Sequence, residues 1–158
     1  MIHEYYIAYG SNLNLEQMAA RCPTASAVGA GLLQGYQLLF NGVATLIPKE
    51  DSSVPVAVWK IDEVCEKALD IYEGYPRLYR KEWIPIELDG KKHMAMVYIM
   101  NDFRPAFPPS SYLNIIVQGY KDFGLDLKYL QRALSFTDGL IKKICKYATS
   151  LHVFMGIV

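Results

Sequence analysis

Two stretches of the chain carry residues able to do chemistry. The first is "YIAYGSNL", residues 6–13, where an apolar run stops at Gly10 and only small or uncharged residues follow. The backbone N–H groups of Gly10, Ser11, Asn12 and Leu13 fall just before a helix start, and Gly10 removes a side-chain obstacle to close approach. Unpaired amides in such a place can hold a carboxylate or an oxyanion. The same residues also suit an ordinary strand-to-helix turn in which Ser11 and Asn12 merely cap. The second is Glu73, directly before Gly74 at the end of an amphipathic run. There the negative end of the helix dipole, together with burial among Tyr72 and Tyr75, disfavours the ionised carboxylate and raises its pKa toward neutrality. A carboxyl group tuned in that way suits proton shuttling. Arg77, Arg80 and Lys81 are near enough in sequence to oppose the shift. An exposed glutamate at a frayed helix end is the plainer reading.

Other candidates are weaker. Asp70 lies one turn before Glu73, and a pair of carboxylates is the equipment of glycoside hydrolysis. Two carboxylates on one helix are not set across a substrate, so Asp70 reads as a surface or hydrogen-bonding residue. Tyr5, Tyr6, Tyr9, Tyr75, Tyr79 and Tyr112 are available to line a pocket, although a chain with twelve tyrosines uses some of them only for packing. Cys22, Cys65 and Cys145 are widely spaced, as are His3, His93 and His152. No metal-ligand spacing is present, and the cysteines read as buried or half-buried thiols. No phosphate-binding glycine motif occurs either.

The elements that must position these residues follow from pattern. Residues 3–9 read as a strand buried on both faces. Leu15, Met18, Ala19 and Cys22 then mark a short helix stopped by Pro23, with Asn14 and Gln17 resembling a capping box. Residues 36–47 and 55–61 read as strands separated by the turn-like "PKEDSSVP". "DEVCEKALDIYEG" reads as a helix with Val64, Ala68, Ile71 and Tyr72 on its inner face, ended by Gly74 and Pro76. Residues 82–88 and 93–100 flank "DGKK" as a hairpin. From "PPSSY" onward the pattern is helical, with Gly119 and Gly124 as interruptions.

At 158 residues, with no linker and no repeat, the chain fits one domain, residues 1–158. Strands without regular strand–helix alternation indicate an α+β fold, a small, mixed, largely closed β-barrel with surrounding helices. Sixteen basic residues balance sixteen acidic ones, which gives no electrostatic reason to expect nucleic acid or an acidic membrane as partner. Sparse, odd-numbered cysteines and an N-terminus without a targeting pattern point to the cytoplasm. The apolar ending "SLHVFMGIV" is too short to span a bilayer and reads as a docked terminal strand or a subunit contact, as in a homodimer.

Three blocks together resemble the gamma-glutamylcyclotransferase family: "YIAYGSNL", "LDIYEG" and "PPSSYLNIIVQGYKDFGLDLKYLQRAL", in the family's order and at similar separations. The likeness runs from residue 6 to about residue 134. After about Thr137 the chain departs from the pattern, which makes residues 138–158 an atypical extension, and residues 48–55 form a connection of their own. The resemblance implies a small mixed barrel and a cofactor- and metal-independent cyclisation of gamma-glutamyl amides to 5-oxoproline. It implies Glu73 as the catalytic acid/base. Tyr6, Ile7, Ala8, Tyr9, Gly10, Ser11, Asn12 and Leu13 become the substrate-binding loop, with Tyr112, and more weakly Tyr79, as further substrate contacts. Gamma-glutamyl amino acids or peptides are the expected substrates. Gamma-glutamyl amines, removal of a gamma-glutamyl protecting group, and non-catalytic binding of a small carboxylate are the alternatives.

Overall fold

A computed structural model describes residues 4–154, with side chains up to Thr149. β1 (Glu4–Ala8) leads through a 3-10 turn (Ser11–Leu13) into α1 (Leu15–Arg21). The hairpin β2 (Ser26–Phe40) and β3 (Ala44–Ile61) follows, then α2 (Glu63–Glu73), the hairpin β4 (Tyr79–Leu88) and β5 (Lys91–Met100), and finally α3 (Ser110–Asp122) and α4 (Lys128–Phe154).

The five strands form one mixed sheet in the order β2-β3-β1-β5-β4, with β1 antiparallel to β3 and parallel to β5. The α+β class is as the sequence indicates. The sheet is open, however, with β2 and β4 at its two edges, so the expected largely closed barrel does not form. β1 is central and buried on both faces, with Tyr6, Ile7 and Ala8 all at 3% exposure or less. Its C-terminal end therefore delivers the following loop to the middle of the sheet.

Residues 36–47 are not one strand. The chain reverses at residues 41–43, where Gly42 takes a positive φ of 75° and the Asn41 N–H donates to the Val43 carbonyl at 2.8 Å. Asn-Gly is a strong hairpin signal, and it outweighs the continuous apolar pattern around it. The "PKEDSSVP" segment lies within β3 instead of separating two strands. Its extra residues are taken up by a register shift opposite Gly35, between the pairs Gln34 with Ser53 and Tyr36 with Pro48. The early part of β2 carries Gly29 and Gly31 among largely exposed residues, so neither propensity nor alternation marks it as a strand. The β4–β5 hairpin forms as expected, turning at Asp89 and Gly90, both with positive φ.

α1 is capped by Asn14, whose side chain accepts from the Gln17 N–H at 3.0 Å. Gln17 does not return the bond, so half of the capping box is present. In α2 the cap is Asp62, which accepts from the Cys65 N–H at 2.9 Å, and Gly74 ends the helix in the left-handed conformation. Its inner face is shifted from the sequence reading. Cys65 and Leu69 are buried, whereas Val64 and Ile71 are 71% and 83% exposed. The four-residue spacing of positions 65, 69 and 73 puts Glu73 on that inner face.

α3 runs unbroken through Gly119. A Cβ there would lie 2.6 Å from the Leu13 Cβ and 2.7 Å from the Asn14 backbone nitrogen, so glycine is what lets α3 press against the loop after β1. α4 packs Leu130, Ala133 and Thr137 inward, and the Thr137 hydroxyl accepts from the Phe40 N–H at 3.1 Å. α4 continues to Phe154, so residues 151–154 are helical and not the docked strand expected, while residues 155–158 lie outside the described residues. No helix among the described residues is long and apolar enough to cross a membrane. Cys22 and Cys65 are buried, but Cys145 is exposed.

Gly119→Ala should destabilise the protein by about 1–3 kcal/mol, because the clash is with backbone that cannot rotate away. Gly139→Ala, in open space on α4, should instead stabilise it by roughly 0.5–1 kcal/mol through helix propensity. Urea denaturation of the two variants checks both signs.

Candidate active site

A cavity of about 270 Å³ opens where the C-terminal end of β1, the C-terminal end of α2 and the start of β3 meet. From the β1 side it is lined by Tyr6, Tyr9, Gly10, Ser11 and Asn12, and from the α2 side by Tyr72 and Glu73. Val43, Ala44, Leu78, Tyr79, Tyr98 and Tyr112 complete it. Ile7, Ala8 and Leu13, included in the loop on sequence grounds, do not line it. They are core residues at 1% exposure or less. Tyr5 and Tyr75 are also elsewhere: Tyr5 meets His93 edge-on, and Tyr75 lies under the Lys81 ammonium at 4.5 Å.

The loop is a 3-10 turn closed by two bonds, Leu13 N–H to the Gly10 carbonyl at 3.1 Å and Asn14 N–H to the Ser11 carbonyl at 3.0 Å. The Leu13 amide is thus engaged and not free as expected. The leading N–H groups of such a turn, those of Ser11 and Asn12, have no acceptor inside it. Gly10 sits where a Cβ would meet Ala44 at 3.2 Å and the Tyr112 hydroxyl at 3.3 Å. The glycine keeps this wall of the cavity open.

Glu73 is half-buried as a residue, with its carboxyl group turned into the cavity. It accepts from the Asn12 side-chain amide at 3.3 Å, and the same nitrogen donates to the Tyr6 hydroxyl at 2.8 Å. Burial raises its pKa from the ordinary 4.5 to about 7, and the Arg21 guanidinium opposes that rise. The three cations suggested by sequence do not play this part. Arg80 pairs with Glu82, Lys81 pairs with Glu66 and with Asp70 at 2.8 Å, and Arg77 is exposed. Asp70 also accepts from the Tyr98 hydroxyl at 2.6 Å and does not line the cavity. It serves as a hydrogen-bonding residue, and Glu73 is the one carboxylate on the wall.

The tyrosines form a frame around that carboxylate. Tyr79 donates to the Ala44 carbonyl at 2.8 Å, and the Tyr112 hydroxyl accepts from the Ala44 N–H at 3.1 Å. The backbone N–H and carbonyl of Ala44 are thus both held by phenols, from α3 and β4 respectively. Tyr9 donates to the Tyr98 carbonyl at 2.6 Å. Burial raises the pKa of Tyr6, Tyr79 and Tyr112, and the Glu73 charge adds to the effect. All three remain neutral phenols at physiological pH.

Sequence reasoning missed Arg21, Tyr72, Tyr98, Val43, Ala44 and Leu78. Tyr72 had a signal, since it directly precedes Glu73. Its hydroxyl meets the Ser11 hydroxyl at 2.8 Å, and the Arg21 guanidinium lies 3.4 Å above its ring centroid. Tyr98 carried none, because a strand tyrosine looks the same whether it faces a core or a cavity.

With this geometry in hand, the likeness to known proteins is specific. Residues 6–119 match the family model described as "Gamma-glutamyl cyclotransferase, AIG2-like". The chain belongs to that family. A human gamma-glutamylcyclotransferase is 30% identical over 144 residues, covering 80% of this chain and 75% of its own, and a bovine one is 29% identical over the same shares. Among solved structures, one titled gamma-glutamyl cyclotransferase superposes with a TM-score of 0.74 at 26% identity, covering 90% of this chain and 99% of its own. The matched segment includes the loop, Glu73 and Tyr112, and it ends at the Gly119 contact.

The raised pKa has a consequence for stability. Because the folded-state value lies above the unfolded one, Glu73 costs nothing below about pH 4.5. The cost grows as pH rises and is complete above about pH 7. The shift from 4.5 to about 7 corresponds to a penalty on the order of 3 kcal/mol. Glu73→Gln should therefore gain stability relative to wild type between pH 4.5 and 8. Urea denaturation at both pH values reads this directly, and a pH-independent difference would contradict it.

Proposed function

We propose that this protein is a gamma-glutamylcyclotransferase that uses Glu73 as its general base and acid. The observation that carries the reading is the Glu73 carboxyl group, with a pKa near 7, inside a cavity that Tyr9, Gly10, Ser11 and Asn12 also line. Membership of the family adds independent support. A group with that pKa is substantially ionised at neutral pH yet basic enough to accept a proton and give it back.

The steps follow from that placement. A gamma-glutamyl amide enters with its α-ammonium toward Glu73, which takes one proton. The freed amine attacks the γ-carbonyl carbon, the new N–C bond closes a five-membered ring, and the carbonyl oxygen becomes an oxyanion. The N–H groups of Ser11 and Asn12, unpaired within their turn, are suited to receive this charge or the substrate's carboxylate. Collapse of the oxyanion breaks the bond to the leaving nitrogen, which takes the first proton back from Glu73 as the amine departs. The ring nitrogen gives its second proton to the again-ionised Glu73, which passes it on to the departing amine, leaving the neutral lactam and restoring the carboxylate. Tyr112, held against Ala44, positions the glutamyl part. The attack is intramolecular, so positioning supplies much of the acceleration without a protein nucleophile.

Val43, Tyr72 and Leu78 give the cavity wall aromatic and aliphatic surface, with Leu78 and Tyr72 reaching the outside. This favours small gamma-glutamyl amino acids or amines whose leaving group is uncharged at its side chain. The test is release of 5-oxoproline, followed by mass spectrometry, from a panel of gamma-glutamyl amino acids, gamma-glutamyl amines and glutathione. Wild type should release it, and Glu73→Gln should lose about 10²–10⁴-fold in kcat while remaining folded. Full activity in Glu73→Gln would remove Glu73 from the mechanism. Tyr112→Phe should keep the ring wall and lose the bond to Ala44, with a loss of about tenfold.

A further inference from the structure

Arg21, the last residue of α1, forms no ion pair among the described residues. Its guanidinium instead has three neutral neighbours: it donates to the Asn12 side-chain carbonyl oxygen, donates to Gln17 at 3.3 Å, and places its central carbon 3.4 Å from the Tyr72 ring centroid. Two of those neighbours line the cavity. An asparagine amide has one acceptor end and one donor end. With Arg21 on the oxygen, the NH₂ must point the other way, and there it meets the Tyr6 hydroxyl and the Glu73 carboxylate.

We propose that Arg21 is the positioning residue of this site: it fixes the Asn12 amide in the orientation that offers hydrogens to Glu73 and pins the Tyr72 ring beside the loop. The proposal rests on the reading of Glu73 as the proton shuttle. Without Arg21 the Asn12 amide is free to turn over and set its oxygen against the carboxylate, which repels the ionised form. Arg21 also faces Glu73 electrostatically. The groups acting around that carboxylate are Tyr6 and Tyr9 from the β1 side, Tyr79 from β4, Tyr98 from β5 and Tyr112 from α3. All are phenols whose own ionisation is suppressed. The guanidinium is the opposing charge. A lysine in its place would keep the charge but, lacking the guanidinium's several donors on one planar group, could not both donate to Asn12 and cover the Tyr72 ring.

The test reads Glu73 itself and does not depend on turnover. Protein labelled with carbon-13 at the glutamate carboxyl carbons is titrated by NMR, with Glu73 assigned through Glu73→Gln. In Arg21→Met the Glu73 midpoint should rise by about one pH unit or more. Arg21→Lys should also raise it, though less, and this variant carries the test if Arg21→Met does not fold. The effects of Arg21→Met and Asn12→Ala on the midpoint should be non-additive, as expected of residues acting through one contact. In turnover, Arg21→Met should lower kcat about 10–100-fold with KM nearly unchanged, and added guanidinium ion should restore part of it. A midpoint unmoved in a folded Arg21 variant, or strictly additive shifts, would overturn the proposal. If wild type releases no 5-oxoproline from any substrate, the cyclotransferase reading fails, and the titration still decides the part played by Arg21.

Discussion

The hydrogen bond from the Asn12 amide to the Glu73 carboxylate joins the two segments on which the site is built. One end belongs to the turn that follows the central strand, the other to the last residue of α2. Holding a carboxylate out of water is unfavourable unless donors face it, and here a single amide and a distant guanidinium face it. That incomplete compensation leaves the group poised near neutrality instead of fully ionised. The surrounding packing can be understood as what keeps this arrangement in place. Cys65 and Leu69 anchor the face of α2 that carries Glu73, Gly119 lets α3 close on the loop, and two phenols hold the backbone N–H and carbonyl of Ala44 on the opposite wall.

The open sheet serves the same arrangement. β1 lies between β3 and β5, so its buried residues fix the height and direction at which the chain leaves the sheet. The residues that follow cannot be slid along without moving Tyr6 and Ala8 out of the core. Because Tyr6 is both a core residue of β1 and the partner of Asn12, the core and the site share a side chain. A substitution at Tyr6 would therefore be felt as lost packing and as a changed neighbour for Glu73.

Much of this was legible in the sequence where chemistry is local. The break at Gly10, the helix ended by Gly74 and the Asp89–Gly90 hairpin are each written in adjacent residues. What escaped was set by distant pairing. Residues 26–35 became a strand because β3 supplies a partner for them, and their glycines and exposed side chains gave no sign of it. The inner face of α2 was misread by one position because Ile71 is apolar yet points to solvent, while Glu73 is charged yet points inward. Arg21 was invisible because its role depends on reaching across to Asn12 and Tyr72, contacts that no spacing along α1 reveals. Ile7, Ala8 and Leu13 came with the whole block that resembles the family's loop, whereas a central strand buried on both faces takes in Ile7 and Ala8 and the 3-10 turn buries Leu13.

The central claim is that one buried carboxyl group, poised near neutrality, carries the proton through the reaction. It is tested most directly by the pH dependence of kcat/KM for 5-oxoproline formation from a small gamma-glutamyl amino acid. The rate should climb about tenfold per pH unit at low pH and level off above a midpoint near 7, set by Glu73. A profile that is flat between pH 5 and 8, or whose midpoint lies at an ordinary carboxylate value, would contradict the account.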